Sequence, residues 1–519
     1  MSQPDAPPPT GEHAATDTHR LVAERQAKLA ELAAGAPAYP HRFDRTHDSA
    51  SLRAREAELT AGGAAVRVAG RVMTKRIMGK TAFLPLQDDA GSVQTYFRRD
   101  DLGEEEFRRV ARLLDAGDII GVAGTLFRTR TGELTVRVQE WALLAKALRP
   151  LPEKWHDMSL ELRTRRRYLD LAMNPESRAR FRRRAAVIEC VRGLLDEEGF
   201  LQVETPALQP VYGGATARPF TTHHNALDSR LFLRIADELY LKRLIIGGYE
   251  KVFEICKDFR NEGMDRTHNP EFTMMECYAA YWDYHDMMAL VERLFARLAA
   301  QFGEGGRIVY GGREIDLGGG FRRLRFLDGL REATGVDFRG LGRDETAAHA
   351  RRLGVEVAPT MGTGKILDEL FTLLVEPKLI QPTFVMDHPQ ELSPLAKAHR
   401  DEPGLVERFE PFVAGFEVGN SFTELNDPAE QRRRFLAQAE LRAAGDDEAQ
   451  PLDEDFLQAL EHGMPPTAGL GMGLDRLVML LCDCHSIRDV LLFPHLRPEE
   501  RDGSRETGPG DAADGAPAP

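Results

Sequence analysis

The sequence has little cysteine, no long apolar run and neither of the common glycine fingerprints for nucleotides, and each absence removes a class of protein. Its five cysteines, Cys190, Cys256, Cys277, Cys482 and Cys484, are odd in number and mostly embedded in apolar runs. That pattern argues against a disulfide framework and for buried thiols in a reducing compartment. The CDCH run ending at His485 hints at zinc, but a closed site needs four ligands and no second cysteine pair is present. No stretch of about 18 apolar residues occurs. The opening MSQPDAPPPTGEH also lacks a basic segment followed by an apolar one, so a cytoplasmic protein without a membrane anchor is expected. GKT at 79–81 and GK at 364–365 lack the first glycine of a phosphate loop, since Thr74 and Pro359 stand there. GLGMGL from 469 fails the dinucleotide pattern because Leu474 replaces the third glycine.

What is present is a long, soluble and unevenly charged chain. At 519 residues it exceeds one compact core, so two or three domains are expected. A net charge of −14 argues against general nucleic-acid adhesion. Thr60 to Pro150 nevertheless carries 15 Lys and Arg against 11 Asp and Glu, a net of +4. Basic runs at 165–167 and 182–184 follow, a distribution suited to selective polyanion binding. Residues 1–20 and 499–519 are Pro-, Ala- and Gly-rich without periodicity and are expected to be disordered tails. Residues 21–59 form a helical segment, 60–148 a first domain, RPLPEKWHD at 149–157 a linker, and 158–498 a second domain.

Five strand-like runs lie between Val66 and Leu148, with EEEFRRVARLL between the third and fourth. Three strands, a helix and two strands is the order of a five-stranded OB-type barrel, whose open face binds oligonucleotides. On that face Phe83 can stack a base, Lys75, Arg76 and Lys80 can follow a phosphate backbone, and Gln94 and Glu133 can read base edges.

In the second domain the segment FRNEGMDRTHNPEFTMMECY, 259–278, holds what activation of a carboxylic acid by ATP requires. Arg260 can fork onto a phosphate and a carboxylate together, Phe272 offers a face to a purine, and Glu262 and Glu276 supply negative charge. Asn174-Pro175 opens a helix in which Phe181, Ala185, Ile188, Val191 and Leu195 recur at helical spacing until Gly199, and FLQVET then reads as a strand. GLGMGLDRLVMLL at 469–481 places Arg476 in the first turn of a helix, where a phosphate is favoured. Glu410, Glu417 and Glu424 recur every seven residues among phenylalanines. Together in one site they need cations: Mg²⁺ takes one or two carboxylates with phosphate oxygens, and a cationic side chain satisfies the third.

These segments resemble motifs 2, 1 and 3 of the class II aminoacyl-tRNA synthetases, and FRNEG…HNPEFTMMECY is similar in particular to the bacterial lysyl-tRNA synthetases. The resemblance implies an α+β multidomain protein, an OB-fold anticodon-binding barrel followed by a catalytic domain with an antiparallel sheet flanked by helices. It implies ATP-dependent activation of L-lysine and transfer to tRNA(Lys), with Mg²⁺ as cofactor and a homodimer built through motif 1. ATP would meet Arg260, Glu262, His268, Asn269, Phe272 and Arg476, with Arg260 on the α-phosphate and Arg476 on the γ-phosphate. Lysine would meet Gly214, Glu238, Glu276, Tyr278, Asn420, Phe422 and Glu424, the last binding its ε-ammonium. Glu410 and Glu417 would hold magnesium, and Phe83, Gln94 and Glu133 would read the anticodon. Asp237 stands where that family usually has Pro, and GFEVGNSF replaces the more usual GREIGNGF. The extra carboxylate of Asp237 is expected near the amino-acid pocket.

Three other readings compete. An aspartyl- or asparaginyl-tRNA synthetase shares the architecture but should present cations to an acidic side chain. A paralogue that attaches lysine to a protein lacks the OB module. A non-catalytic RNA-binding regulator should have lost Arg260, Arg476 or the magnesium carboxylates.

Overall fold

The structure, a computed structural model, describes residues 11–35, 37–152, 158–359, 361–443 and 450–498. It divides into two compact units, 1–157 and 158–519. Residues 1–10 of the tail expected at 1–20, the tail expected at 499–519 and most of the expected linker, 153–157, lie outside the described residues.

In the first unit, helix α1 (Gly11–Ala33) begins ten residues before the helical segment expected from sequence. Alanine, leucine and long charged residues outweigh the proline-rich start, and these are the strongest helix formers. The helix is anchored by Leu32, which is buried, by Lys28 Nζ, which donates to Asp115 Oδ1 at 2.6 Å, and by Arg25 Nη1, which donates to Ala147 O at 2.6 Å. Two short helices follow, α2 (Ser49–Ala54) and α3 (Glu56–Gly62).

The barrel comprises β1 (Val66–Val72), β2 (Arg76–Met78), β3 (Thr81–Phe83), β4 (Leu86–Gln87) and β5 (Ser92–Arg98), then helices α4 (Arg99–Leu102) and α5 (Glu104–Leu113), then β6 (Ile119–Arg128) and β7 (Leu134–Ala145). The first expected strand is broken into β1 and β2, and the second into β3 and β4. Hydrogen bonding runs β2-β3-β5-β4-β1-β6-β7, and a parallel pairing of β5 with β7 closes the barrel. Alternation along β5 sends Val93, Thr95 and Phe97 inward and leaves Gln94 and Tyr96 on the outer face.

The second unit opens with α6 (Leu160–Arg165), α7 (Arg167–Met173) and α8 (Pro175–Glu197). Asn174 caps α8 by accepting from the Glu176 N–H at 3.0 Å, with Pro175 as first residue. The buried face of α8 is carried by Val187, Cys190, Val191, Leu194 and Leu195, a phase offset from the expected one: Ala185 is exposed. The following strand is shorter than expected, β8 (Leu201–Gln202), because Pro206 and loop backbone end the pairing early. A small sheet, β9 (Leu208–Gln209), β10 (Thr221–His224) and β11 (Ser229–Leu233), leads to α9 (Glu238–Ile246) and to the long hairpin β12 (Lys251–Phe259) and β13 (Glu271–Ala280).

Next come α10 (Tyr284–Phe302), the hairpin β14 (Arg307–Tyr310) and β15 (Arg313–Asp316), β16 (Arg322–Arg325), and α11 (Phe326–Thr334), α12 (Arg343–Arg352) and α13 (Thr363–Leu374), which share their own apolar cluster. The chain returns through β17 (Thr383–Pro389), β18 (Leu405–Val413), β19 (Phe416–Glu417) and β20 (Gly419–Thr423), then α14 (Pro428–Ala443), α15 (Glu454–Glu461), β21 (Thr467–Gly473), α16 (Leu474–Leu481) and α17 (Ile487–Val490). The main sheet is ordered β16-β17-β18-β20-β21-β13-β12-β8. Its centre is antiparallel, as expected, but both outermost pairs, β16–β17 and β12–β8, are parallel, so the sheet is mixed. The largest core packs α8, α10 and α16 against one face of it.

Candidate active site

Strand register brings distant parts of the chain together on the other face of the sheet. One row runs Glu254, Glu276, Gly471, Asn420 across β12, β13, β21 and β20; the next runs Val252, Tyr278, Gly469, Phe422 and Arg408. Side chains two apart on a strand share a face, so Phe272, Met274, Glu276 and Tyr278 line up along β13, the last three opposite Gly473, Gly471 and Gly469 of β21. Glycines at the cleft-facing positions of β21, 469, 471 and 473, leave room for the cleft. A Cβ on Gly469 would fall inside contact distance of Glu424 Oε1 and of the Tyr278 ring, 2.8 Å from its Cδ1. Gly469→Ala is therefore expected to displace both and to raise KM for the amino acid about 10- to 200-fold. A steady-state titration that showed an unchanged KM would contradict that packing.

The cleft has a volume of about 360 Å³, and every residue expected from sequence to bind ATP, amino acid or metal lines it. At one end, the Arg260 guanidinium stands 5.0 Å over the Phe272 ring, which remains partly exposed. Arg260 Nε is buried without a hydrogen-bond partner among the described residues, a donor aimed into the site. Arg476 Nη1 donates to Glu417 Oε2 at 3.2 Å, and its Nη2 reaches His268 Nε2 at 3.2 Å. His268 also meets Asp265, whose carboxyl sits at about 2: burial works against it, but backbone and His268 hydrogen bonds outweigh burial. Glu262 is exposed at the mouth. Asn269 lines the cleft, but its amide is committed: Nδ2 donates to Glu271 O at 2.6 Å and Oδ1 accepts from the His495 N–H at 3.3 Å.

In the middle are Glu410 and Glu417. Burial alone would raise Glu410, but Arg408 and His388, whose Nε2 is 3.5 Å from Glu410 Oε2, hold its carboxyl at about 2. Burial and the neighbouring Glu410 charge raise Glu417 instead. Arg408 also donates from Nε to Asn420 Oδ1 at 2.8 Å and from Nη1 to Ser393 Oγ at 2.8 Å. It therefore fixes the Asn420 amide and neutralises Glu410 at once.

At the far end, Glu238, Glu276, Tyr278 and Glu424 are all buried. Tyr278 Oη donates to Glu276 Oε2 at 3.0 Å. Gly214, at φ +87, approaches the start of α9 so closely that a Cβ would lie 3.0 Å from Glu238 Cβ. Behind this wall, and not lining the cleft, lies Lys242. It is fully buried, bonds Glu238 Oε1 at 2.5 Å, pairs with Glu424, and sits 5.4 Å from the Phe422 ring centroid. Burial raises Glu424 well above the carboxylate range, and Lys242 opposes that shift. Its Oε1 has no hydrogen-bond partner among the described residues.

Asp237 lies near the amino-acid pocket, as expected: burial and then the Asp237 charge raise the Glu276 carboxyl. Its neighbours Ala236 and Glu238 line the cleft and it does not; its buried carboxylate lies beside Cys256 and Asp258 of β12. Sequence reasoning assigned no role to Arg408, His388 or Lys242. Lys242 follows Glu238 by four residues on a helix, a spacing that signals an ion pair; Arg408 and Glu410 alternate on one strand, so their common face was also readable.

The barrel carries a separate surface. Phe83 and Tyr96 are paired across β3 and β5 with centroids 5.0 Å apart, and Phe127 meets Tyr96 at 5.7 Å. Gln94 lies beside them and donates from Nε2 to Thr135 Oγ1 at 3.1 Å, while Glu133 is exposed at the start of β7. Tyr96 and Phe127 extend the aromatic platform expected from Phe83 alone. Of the basic residues expected to follow a backbone, Arg76 and Lys80 are exposed, but Lys75 Nζ is spent on the Ala111 and Leu114 carbonyls at the end of α5.

The pattern of the tRNA synthetases class II (D, K and N) matches residues 159–497, and that of the OB-fold nucleic acid binding domain matches residues 66–144. A lysine–tRNA ligase of Roseiflexus castenholzii is 55% identical over 488 residues, covering 93% of this chain and 100% of its own length. Lysine–tRNA ligases of Synechococcus sp. (strain CC9311) and Carboxydothermus hydrogenoformans are 53% and 50% identical, over 90% and 93% of this chain and 96% and 99% of theirs. With both patterns in the expected order and the segments resembling motifs 2 and 3 meeting in one cleft, the chain belongs to the class II tRNA synthetases (D, K and N).

Proposed function

We propose that the chain is a lysine–tRNA ligase, which activates L-lysine with ATP to lysyl-adenylate and transfers it to the 3′ end of tRNA(Lys), releasing diphosphate and AMP. The observation that carries the specificity is Glu424, buried beside Tyr278 and Phe422 with Oε1 unpaired. An orphaned carboxylate oxygen at the end of an apolar-walled slot suits an alkylammonium. An aspartate or asparagine side chain would need a donor there. The arginines that line the cleft, Arg260, Arg408 and Arg476, lie toward its other end or are committed to Glu410 and Asn420. Lysine-dependent exchange of diphosphate into ATP, run against aspartate and asparagine, tests the reading; activity with aspartate alone would overturn it.

In the first step the lysine carboxylate attacks the α-phosphorus of ATP in line and diphosphate leaves. In the second, a 3′-terminal ribose hydroxyl attacks the adenylate carbonyl and AMP leaves. No protein nucleophile is needed, so the side chains act by position and charge. Arg260 meets the α-phosphate, Arg476 the γ-phosphate, and Phe272 the base. Glu238 and Gly214 receive the α-ammonium, Glu424 and Tyr278 the ε-ammonium, and Asn420 and Phe422 align the chain between them. Glu410 and Glu417 fit Mg²⁺: both offer carboxylate oxygens beside the phosphate-binding arginines, and Glu410 is held ionised. Bound there with ATP, magnesium would offset the phosphate charge.

The aromatic platform of the barrel supports anticodon reading, with Phe83 and Tyr96 as stacking surfaces and Gln94 and Glu133 at base edges. Tyr96→Ala is expected to raise KM for tRNA about 5- to 150-fold through loss of one stacked base. Diphosphate exchange, which does not involve tRNA, is its control. Leu201 and Leu208, 47% and 48% exposed after α8, supply apolar surface for a homodimer through motif 1. Sedimentation at monomer mass under assay conditions would refute that arrangement. No helix among the described residues is long and apolar enough to cross a membrane.

A further inference from the structure

Behind the amino-acid end of the cleft lies a polar cluster that the reaction does not use. Asp237, Cys256 and Asp258 are all buried, and one oxygen from each carboxylate and the Cys256 Sγ lie within 4.8 Å of one another. Cys256 and Asp258 alternate on β12 and share its site-facing side with Glu254, while Asp237 approaches from the residue before α9. Neither oxygen of Asp237 has a hydrogen-bond partner among the described residues, although the residue is 0% exposed. Asp258 Oδ2 and Glu254 Oε2 are likewise unpaired there.

Arg234 does not resolve the imbalance. Its Nη1 donates to Glu254 Oε1 at 2.8 Å and its Nε to Lys257 O at 2.9 Å, leaving a 3.5 Å approach to Asp258 Oδ1; Arg260 adds a second positive charge near Asp258, and Cys256 Sγ donates to Asp258 Oδ1 at 3.7 Å, but neither reaches Asp258 Oδ2. Buried carboxylates left in this state are costly unless a cation joins them.

We propose that Asp237, Cys256 and Asp258 form a binding site for a divalent transition-metal ion of the Zn²⁺ type. One thiolate with two carboxylates suits such an ion, whereas Mg²⁺ and Ca²⁺ take oxygen donors alone. Bonds of about 2.0–2.3 Å bring the three atoms onto one ion with small side-chain rotations, and water completes a tetrahedron. As the Sγ–metal bond forms, the Cys256 thiol gives its proton to solvent. The ion ties the start of α9, which carries Glu238, to β12, which runs into Arg260. It therefore ties the two halves of the substrate cleft together from its flank, at a place distinct from Glu410 and Glu417.

The test uses the full-length protein, stripped with chelator and titrated with Co²⁺ alone. A thiolate-to-cobalt charge-transfer band that saturates at about one equivalent is expected, since no thiol stands at the Glu410 and Glu417 position. Zn²⁺ should compete for it and raise the unfolding temperature. Asp237→Asn should weaken Co²⁺ binding about 10- to 100-fold, Cys256→Ser should abolish the band, and Glu410→Gln should leave it intact. Absence of the band in the unaltered protein, or its survival in folded Cys256→Ser, overturns the proposal. If Cys256→Ser does not fold, unchanged cobalt affinity in Asp237→Asn does so instead.

Discussion

Arg260→Ala is expected to lower the rate of lysine-dependent diphosphate exchange by about 10²- to 10³-fold, the size of losing one preorganised donor to a developing charge. The guanidinium stacks on Phe272, and its backbone N–H donates to Pro270 O at 2.9 Å, so both ends of the residue are fixed before substrate arrives. Its buried Nε has no partner among the described residues to give up. Such a donor costs no reorganisation when the α-phosphate gains charge, which is why kcat should fall more than lysine affinity. Arg260→Lys should recover only part, because a point charge cannot fork onto phosphate and carboxylate together. Exchange at near the unaltered rate in Arg260→Ala would remove this residue from the chemical step.

Lys242→Met is expected to destabilise the fold by about 3–5 kcal/mol, the loss typical of removing one partner from a buried ion pair. Lys242 is fully buried between Glu238 and Glu424, and nothing else among the described residues pairs with Glu424. The deficit should depend on pH with a definite sign. Burial already raises both carboxyls, with Lys242 opposing, and its removal raises them further. The folded variant then holds protons that the unfolded chain releases near its ordinary value of about 4.3. Stability should thus fall as pH climbs from there toward neutrality, and recover in acid. Denaturant unfolding at two pH values measures this; a loss equal at both would mean that packing, not charge, is what Lys242 supplies.

Much of the site could be read from the chain because its residues fall in short contiguous segments whose spacing matches strand and helix periods. FRNEG, HNPEF and GLGMGLDR each place an arginine or aromatic at a fixed step from a turn, and the sheet register brought them into one cleft. The mixed edges of that sheet, the phase of α8 and the early start of α1 were not legible. Each depends on partners far along the chain rather than on local pattern. Asp237 was placed near the amino-acid pocket from its neighbour Glu238, but its burial with Cys256 and Asp258 was not legible, because β12 meets it only through the fold. Arg408 and Lys242 were visible as charges, but only the fold reveals which carboxylates they neutralise.

The parallel seam between β5 and β7 has a consequence for the order in which the barrel's binding surface comes into being. Phe83 and Tyr96 belong to neighbouring strands, and their contact can form within a local hairpin. Gln94 pairs with Thr135 across 41 residues of chain, including all of α5 and β6. Closure over that separation carries a loop-entropy cost, and contacts of this range form slowly. The stacking surface can therefore exist early, while the edge that tells one base from another is completed only when β7 docks. A nascent or truncated barrel lacking that last strand would hold bases by stacking without discriminating among them.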